Sequence, residues 1–174
     1  MKKITLYSII VFGLILGCKS SSSSKANVLT ITLEPKSNST VSGTATFSEK
    51  NGTVTFEAKI SGLKPGVHAI HIHEKADCSA GDATSAGGHW NPTFKKHGKW
   101  GEGEYHKGDI GNFTADEKGN GTITLKTDEW CIGCGDLNKD ILGKGLIVHD
   151  KPDDFTTQPT GNAGARVACA GIIK

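Results

Sequence analysis

The sequence predicts an all-β protein: eight short antiparallel strands in a barrel or sandwich, with two long functional loops. Apolar and polar residues alternate with a period of two through most stretches rich in Val, Ile, Thr and Phe. The 174 residues include 23 glycines, grouped with Asn, Asp and Pro at turn-like positions between those stretches. No stretch carries a credible helical periodicity. Hydrophobic residues make up 36% and charged residues 22%, which fits one soluble, turn-rich domain.

The first predicted strand has Leu29, Ile31 and Leu33 alternating with Thr30, Thr32 and Glu34; the second has Val41, Ala45 and Phe47 alternating with Ser42, Thr44 and Thr46. Asn51-Gly52 is a hairpin signal, because both residues tolerate the positive φ of a tight primed turn. Val54, Phe56, Ala58 and Ile60 then alternate with polar partners, and Leu63-Lys64-Pro65-Gly66 turns a corner into Val67–His73. Within that fourth strand His71 and His73 share one face, expected to point outward, while Ile70 and Ile72 face the core. His68 falls on the Ile70 side and reads as a structural histidine bonded to backbone. Strands are expected at Ile110–Ala115 and Thr122–Lys126 around the turn Asp116–Gly121, then at Gly145–His149 and Ala165–Ile173.

Two segments are too long and too polar to be ordinary turns: Glu74 to Asp109, and Asp150 to Gly164. Loops of this length in a small domain are functional or disordered, so something other than an apolar face must order them. Six of the seven histidines lie between Val67 and Asp109, and the seventh, His149, ends a strand. Imidazole suits copper and zinc, and a carboxylate added to histidines favours a closed tetrahedral zinc site. Two metal sites are therefore expected on one end of the β framework.

The N-terminus has Lys2 and Lys3, then an apolar run from Ile4 to Leu16, which reads as an export signal and is too short to span a bilayer with margin. Ile15-Leu16-Gly17-Cys18 resembles a bacterial lipobox, in which the cysteine is acylated. Ser20–Ser24 would then form a flexible tether. The expected division is residues 1–17 as a lipoprotein-type signal peptide, 18–27 as lipidated Cys18 and tether, and 28–174 as the domain. This predicts an exported lipoprotein of the bacterial cell envelope, in the periplasm or on the outer surface, held to the membrane by its lipid alone. Removing Lys2 and Lys3 from the 20 basic residues leaves 18 against 18 acidic, so no nucleic-acid partner has electrostatic support.

The segments His71-Ile72-His73-Glu74, Gly87-Gly88-His89-Trp90-Asn91-Pro92, His97-Gly98, His106–Asn112 and Gly161–Cys169 occur in the order and approximate spacing of the copper/zinc superoxide dismutases, which the chain resembles from about Val28 to Lys174. That resemblance implies a Greek-key barrel, copper and zinc as cofactors, and superoxide as substrate. It makes His71, His73, His89 and His149 copper ligands and His89, His97, His106 and Asp109 zinc ligands, with His89 bridging and returning a proton. Asp153 is implied as the outer carboxylate holding one histidine of each set, with Asp154 an ordinary loop acid. Arg166 is implied as the cation that guides the anion inward.

With Cys18 reserved for lipid, four cysteines in an oxidising compartment allow three pairings. The resemblance pairs Cys78 with Cys169, leaving Cys131 and Cys134 to close a short second disulfide. The connection Thr127–Asp140 is longer than in many relatives, so a homodimer stays open as an expectation. The competing function is a non-catalytic copper/zinc-binding envelope protein that buffers or delivers metal; every implied ligand and Arg166 are present, which favours turnover. An adhesive sandwich leaves the histidines unexplained.

Overall fold

Each stretch of alternation forms a strand: β1 (Asn27–Pro35), β2 (Ser42–Lys50), β3 (Thr53–Ser61), β4 (Gly66–His73), β5 (Gly111–Ala115), β6 (Gly121–Thr127), β7 (Gly145–His149) and β8 (Arg166–Gly171). The computed structural model describes residues 25–174. The expected export segment, Cys18 and the serine run lie outside the described residues. The one helical element among the described residues is a 3-10 turn, Thr84–Ala86.

The strands close a barrel in the order β1-β2-β3-β6-β5-β4-β7-β8, every pairing antiparallel. Long ladders join β1, β2, β3 and β6 on one side and β5, β4, β7 and β8 on the other. The two seams are narrow: Ala115 with Gly121 between β5 and β6, and Glu34–Pro35 with Ala168–Cys169 between β8 and β1. The fold is thus a barrel with the two-sheet character of a sandwich, as the sequence predicts.

One face of each strand fills the interior. Leu29, Ile31, Phe47, Val54, Phe56, Ile60, Ile70, Ile72, Leu146, Val148 and Ala168 belong to one buried cluster. Phe47 and Phe56 are cross-strand partners with ring centroids 5.0 Å apart, and the buried Trp130 indole lies 6.3 Å from each. Asn51 and Gly52 adopt φ of 52° and 74°, the paired positive values a two-residue hairpin requires.

The histidine face is outward with respect to the core, as expected, but it is not exposed. His71 and His73 do point away from the interior, yet both are fully buried, because the two long loops fold over β4 and β7. Ile147, on that same outer face of β7, packs with Ala83, Ala86 and Cys169 in a second, smaller apolar cluster. A disulfide joins Cys78 in the first loop to Cys169 in β8 across a separation of 91 residues. In the chain-entropy account such a bridge stabilises by about 4–5 kcal/mol, against about 2 kcal/mol for the Cys131–Cys134 bridge, whose separation is three.

Candidate metal centre

β5 stops pairing with β4 at Ile70, so the end of β4 has a vacant edge. The long loop takes it. Trp90 donates its N–H to Ile72 O, Ile72 donates to Gly108 O, and Gly108 donates to Trp90 O, at 2.8, 2.9 and 3.0 Å. A side chain on Gly108 would overlap the Ile72 carbonyl, so this junction needs glycine. His89 bridges to His73 here and is carried against β4, while His106 and Asp109 flank the same junction.

The result is two four-membered sets. His71, His73, His89 and His149 offer ligand atoms within 4.8 Å of one another, as do His89, His97, His106 and Asp109, and every member is buried. His89 belongs to both. Its ring centroid lies 4.0 Å from that of His71 and 5.2 Å from that of His97.

The unpaired atoms identify where ions fit. Seven buried side-chain polar atoms among the described residues lack a hydrogen-bond partner, and six are histidine nitrogens of this centre: Nδ1 of His71, His97 and His106, and Nε2 of His73, His89 and His149. Buried polar atoms are ordinarily satisfied, so six convergent exceptions call for a cation. The other nitrogen of each ring is held. His71 Nε2 and His97 Nε2 meet the two oxygens of Asp153 at 2.8 and 2.9 Å; His73 Nδ1 faces Gly87 O at 2.9 Å, His106 Nε2 faces Lys95 O at 3.1 Å, and His149 Nδ1 faces Gly164 O at 3.4 Å. Fixing the far nitrogen this way sets the tautomer and aims the near one.

The second set also has the dimensions of a coordination shell. Asp109 oxygens lie 2.8 Å from His89 Nδ1, 3.0 Å from His97 Nδ1 and 3.3 Å from His106 Nδ1. The latter two nitrogens have no hydrogen-bond geometry. With bonds of about 2.0–2.1 Å, ligand atoms around a tetrahedral zinc are separated by roughly 3.3 Å, so these spacings suit donors converging on one ion.

Electrostatics separate the rings. Burial, then the neighbouring His71, push His89 down to about 3, and burial with adjacent imidazoles holds His73 and His149 well below the ordinary value. Burial also opposes charge on His97, but the carboxylates of Asp109 and Asp153 outweigh it and raise that ring to about 9. Burial alone would raise both carboxyls, yet the histidine hydrogen bonds hold them below the carboxylate range. His73, His89 and His149 are thus neutral and Asp109 and Asp153 ionised, the ligand states a divalent ion requires, while an ion binding His97 must displace its proton.

A cavity of about 270 Å³ leads to the first set, lined by His73, His89, His149, Thr160, Asn162, Ala163, Gly164 and Arg166. Arg166 is half-buried and donates from Nη1 to Ala83 O at 2.8 Å, with the Asp82 carboxylate nearby. The structure thus brings together His71, His73, His89, His97, His106, Asp109, His149, Asp153 and Arg166. His68 stands apart, its ring nitrogens 3.0 Å from His149 O and 2.8 Å from Lys64 O, as its place on the Ile70 face predicts. Asp154 accepts from the N–H groups of Thr156 and Thr157, a loop-capping role.

Sequence reasoning missed the supports. Asn112 exchanges two hydrogen bonds of 2.8 Å with the Asp153 backbone, and the Gln158 amide clamps the His97 backbone N–H and carbonyl at 2.9 Å each. Asn112 at least falls within a motif; Gln158 has no local signal. Trp130 donates to Lys107 O, and Glu129 pairs with Lys107 and accepts from Tyr105, which ties the 128–144 connection to the metal loop. A family model described as copper/zinc superoxide dismutase (SODC) matches residues 41–172, which include all these residues.

Proposed function

Since the chain belongs to the copper/zinc superoxide dismutase family, an oxidoreductase family that uses copper and zinc, we propose that His71, His73, His89 and His149 hold copper and that His89, His97, His106 and Asp109 hold zinc. Copper so held would cycle between two oxidation states, converting two superoxide ions to dioxygen and hydrogen peroxide, with zinc in a structural role. The observation that carries the division is the unpaired nitrogens: four point at one position beside the cavity, and the second set adds the carboxylate that favours zinc.

The protein's own groups supply the rest. His89 has both nitrogens committed to the centre, Nδ1 at Asp109 and Nε2 toward the cavity, so Nε2 is placed to take up a proton and give it to bound substrate. Asp153 spans His71 and His97 and so couples the orientation of the two sets. Arg166 lines the cavity as a cation, where it attracts a small anion and hydrogen-bonds it; superoxide dismutases are themselves an established example of such steering.

Two disulfides indicate an oxidising compartment, outside the cell or in the periplasm. Among the described residues no helix is long and apolar enough to cross a membrane. We read Cys18 as the lipidated residue that tethers the domain to the envelope.

The deciding experiment uses Cys18–Lys174: copper and zinc per chain are measured, and superoxide removal is assayed with and without a copper chelator. One copper and one zinc with chelator-sensitive activity are expected. Metal-loaded protein without activity would instead assign it to metal buffering or delivery.

A further inference from the structure

Away from the histidine centre, the connection between β6 and β7 gathers a third group of ligand-type side chains. Cys131, Cys134 and Asp140 each offer one atom, all within 4.8 Å of one another. The cysteines form a disulfide. We propose that this is a thiol-exchangeable disulfide whose reduction creates a third metal site for a thiophilic d10 ion, with Cys131 and Cys134 as thiolate ligands and Asp140 closing the set.

The loop keeps its shape by means other than the S–S bond. Cys131 donates to Lys139 O and accepts from Ile141 N–H, at 2.8 and 3.1 Å. Asp140 receives the N–H groups of Gly133 and Leu142 on Oδ1, at 2.8 and 3.1 Å, and of Gly135 on Oδ2, at 2.9 Å. Ile132 donates to Glu49 Oε2 and accepts from Asn27 Nδ2, both at 2.9 Å, which moors the turn to β1 and β2. Trp130, Ile132 and Ile141 are buried in the main core. Opening the disulfide therefore leaves two sulfurs and a carboxylate already gathered, the preorganisation a metal site needs.

Access and charge suit the chemistry. Cys134 is exposed and Cys131 buried, so an incoming thiolate meets the Cys134 sulfur first. Lys174 Nζ lies 3.4 Å from where a Cβ on Gly133 would stand, and a cation there favours thiolate over thiol. A dithiol supplies the two electrons. Its first thiolate attacks Cys134 Sγ, the S–S bond breaks, and Cys131 leaves as thiolate. Its second thiolate then displaces Cys134 from the mixed disulfide, and the dithiol departs oxidised. Binding an ion next releases any protons the two thiols carry. Soft thiolates select copper(I) or zinc; the carboxylate and a water would complete a zinc tetrahedron, whereas copper(I) is served by the sulfurs.

The test uses holoprotein with its copper and zinc sites filled. A water-soluble phosphine is applied, free thiols are trapped with a maleimide, and labelled peptides are mapped. Among the four disulfide cysteines, label at Cys131 and Cys134 with Cys78–Cys169 intact is expected; no label on these four, or all four labelled at one rate, overturns the proposal. Reduced protein freed of phosphine is then offered, without oxygen, zinc sulfate in one arm and copper(I) as its acetonitrile complex in the other. One further equivalent per chain retained through desalting in either arm supports the site and names the ion. Oxidised protein and exposed-position C134S should retain none. Equal uptake by oxidised and reduced protein, or no uptake, refutes it, and the oxidised comparison needs no variant to fold. Asp140→Asn should lower zinc retention at least tenfold; unchanged retention in both arms overturns the three-ligand set.

Discussion

Replacing Gly161 by alanine should damage the metal centre from outside it. Gly161 has φ of 68°, and a Cβ there would overlap Asp153 Oδ1, stand 2.5 Å from its Cγ and come within 2.6 Å of His97 Nε2. Normal contact requires about 3.5 Å, so the carboxylate must retreat by roughly 1 Å. That retreat breaks the 2.9 Å contact with His97 and the 2.7 Å bond from the Phe155 N–H. Hydrogen bonds to charged groups contribute about 1.5–3 kcal/mol each, and left-handed backbone costs a non-glycine residue about 1–2 kcal/mol. A loss of about 4–8 kcal/mol lowers the midpoint of a chain this size by roughly 10–30 °C. Freeing the outer nitrogen of a ligand histidine should also weaken zinc by about 10–100-fold. Calorimetry of the metal-loaded protein and competition with a zinc chelator read both effects. Gly52→Ala is the control, because Gly52 has φ of 74° and no atom within 4 Å of a new Cβ. It should lose only the backbone increment and keep its zinc affinity. If the two variants match in midpoint and zinc affinity, the contact between residue 161 and Asp153 does not support the centre.

His149→Ala removes a ligand assigned to the first set alone, so activity should fall to near background while zinc and fold persist; Asp109→Ala should release zinc and lower stability with part of the copper-dependent activity kept, and reversed outcomes would refute the division. Arg166→Ala should retain both metals, lose second-order rate and lose much of its salt dependence, with lysine restoring part and glutamate worse than alanine; identical rates and salt responses in all three would remove the guiding role. For metal-free protein, His97 at about 9 contributes stability that is complete below its unfolded value of about 6.5 and lost as pH rises through 9, whereas depressed His73, His89 and His149 contribute above about 6.5 and lose it as pH falls below that, His89 through about 3. Its thermal midpoint should therefore peak near neutrality, and a steady rise from pH 6 to 9 would contradict that. Cys18→Ala should yield unacylated protein that leaves the membrane fraction, or block processing; unchanged membrane partition would exclude the lipid anchor.

Strands were legible because their cause is local: alternation at Leu29–Leu33 or Val54–Ile60 shows one face to the core, and Asn51-Gly52 can do little but turn. The ligands were legible because imidazoles are scarce and six fell in one stretch. Burial of the His71 and His73 face was not, since it depends on loop contacts that return from 14 to 82 residues away, and alternation in β4 reports only which residues share a side. Asn112, Gln158 and Trp130 escaped for the same reason. Each acts through a backbone group distant in sequence, such as Gln158 on His97 or Trp130 on Lys107, and nothing in its own neighbourhood marks the partner.

The narrow seams of the barrel set where it opens. Between β5 and β6 a single residue pair carries the ladder, and between β8 and β1 only two do, so the hydrogen-bonded wall is weakest at these seams even though both sides share one apolar core. Amide exchange should be fastest at Ala115, Gly121 and Ala168, and slowest at the centre of β2 and β3. The proposed ligands lie only on the sheet of β4 and β7 and its loops, so metal loss should loosen that side first and bare the outer edges of β1 and β6. Exposed edges pair with other chains. Metal occupancy would then govern solubility as well as turnover: a chain emptied of its ions should aggregate through a sheet that carries none of the proposed ligands.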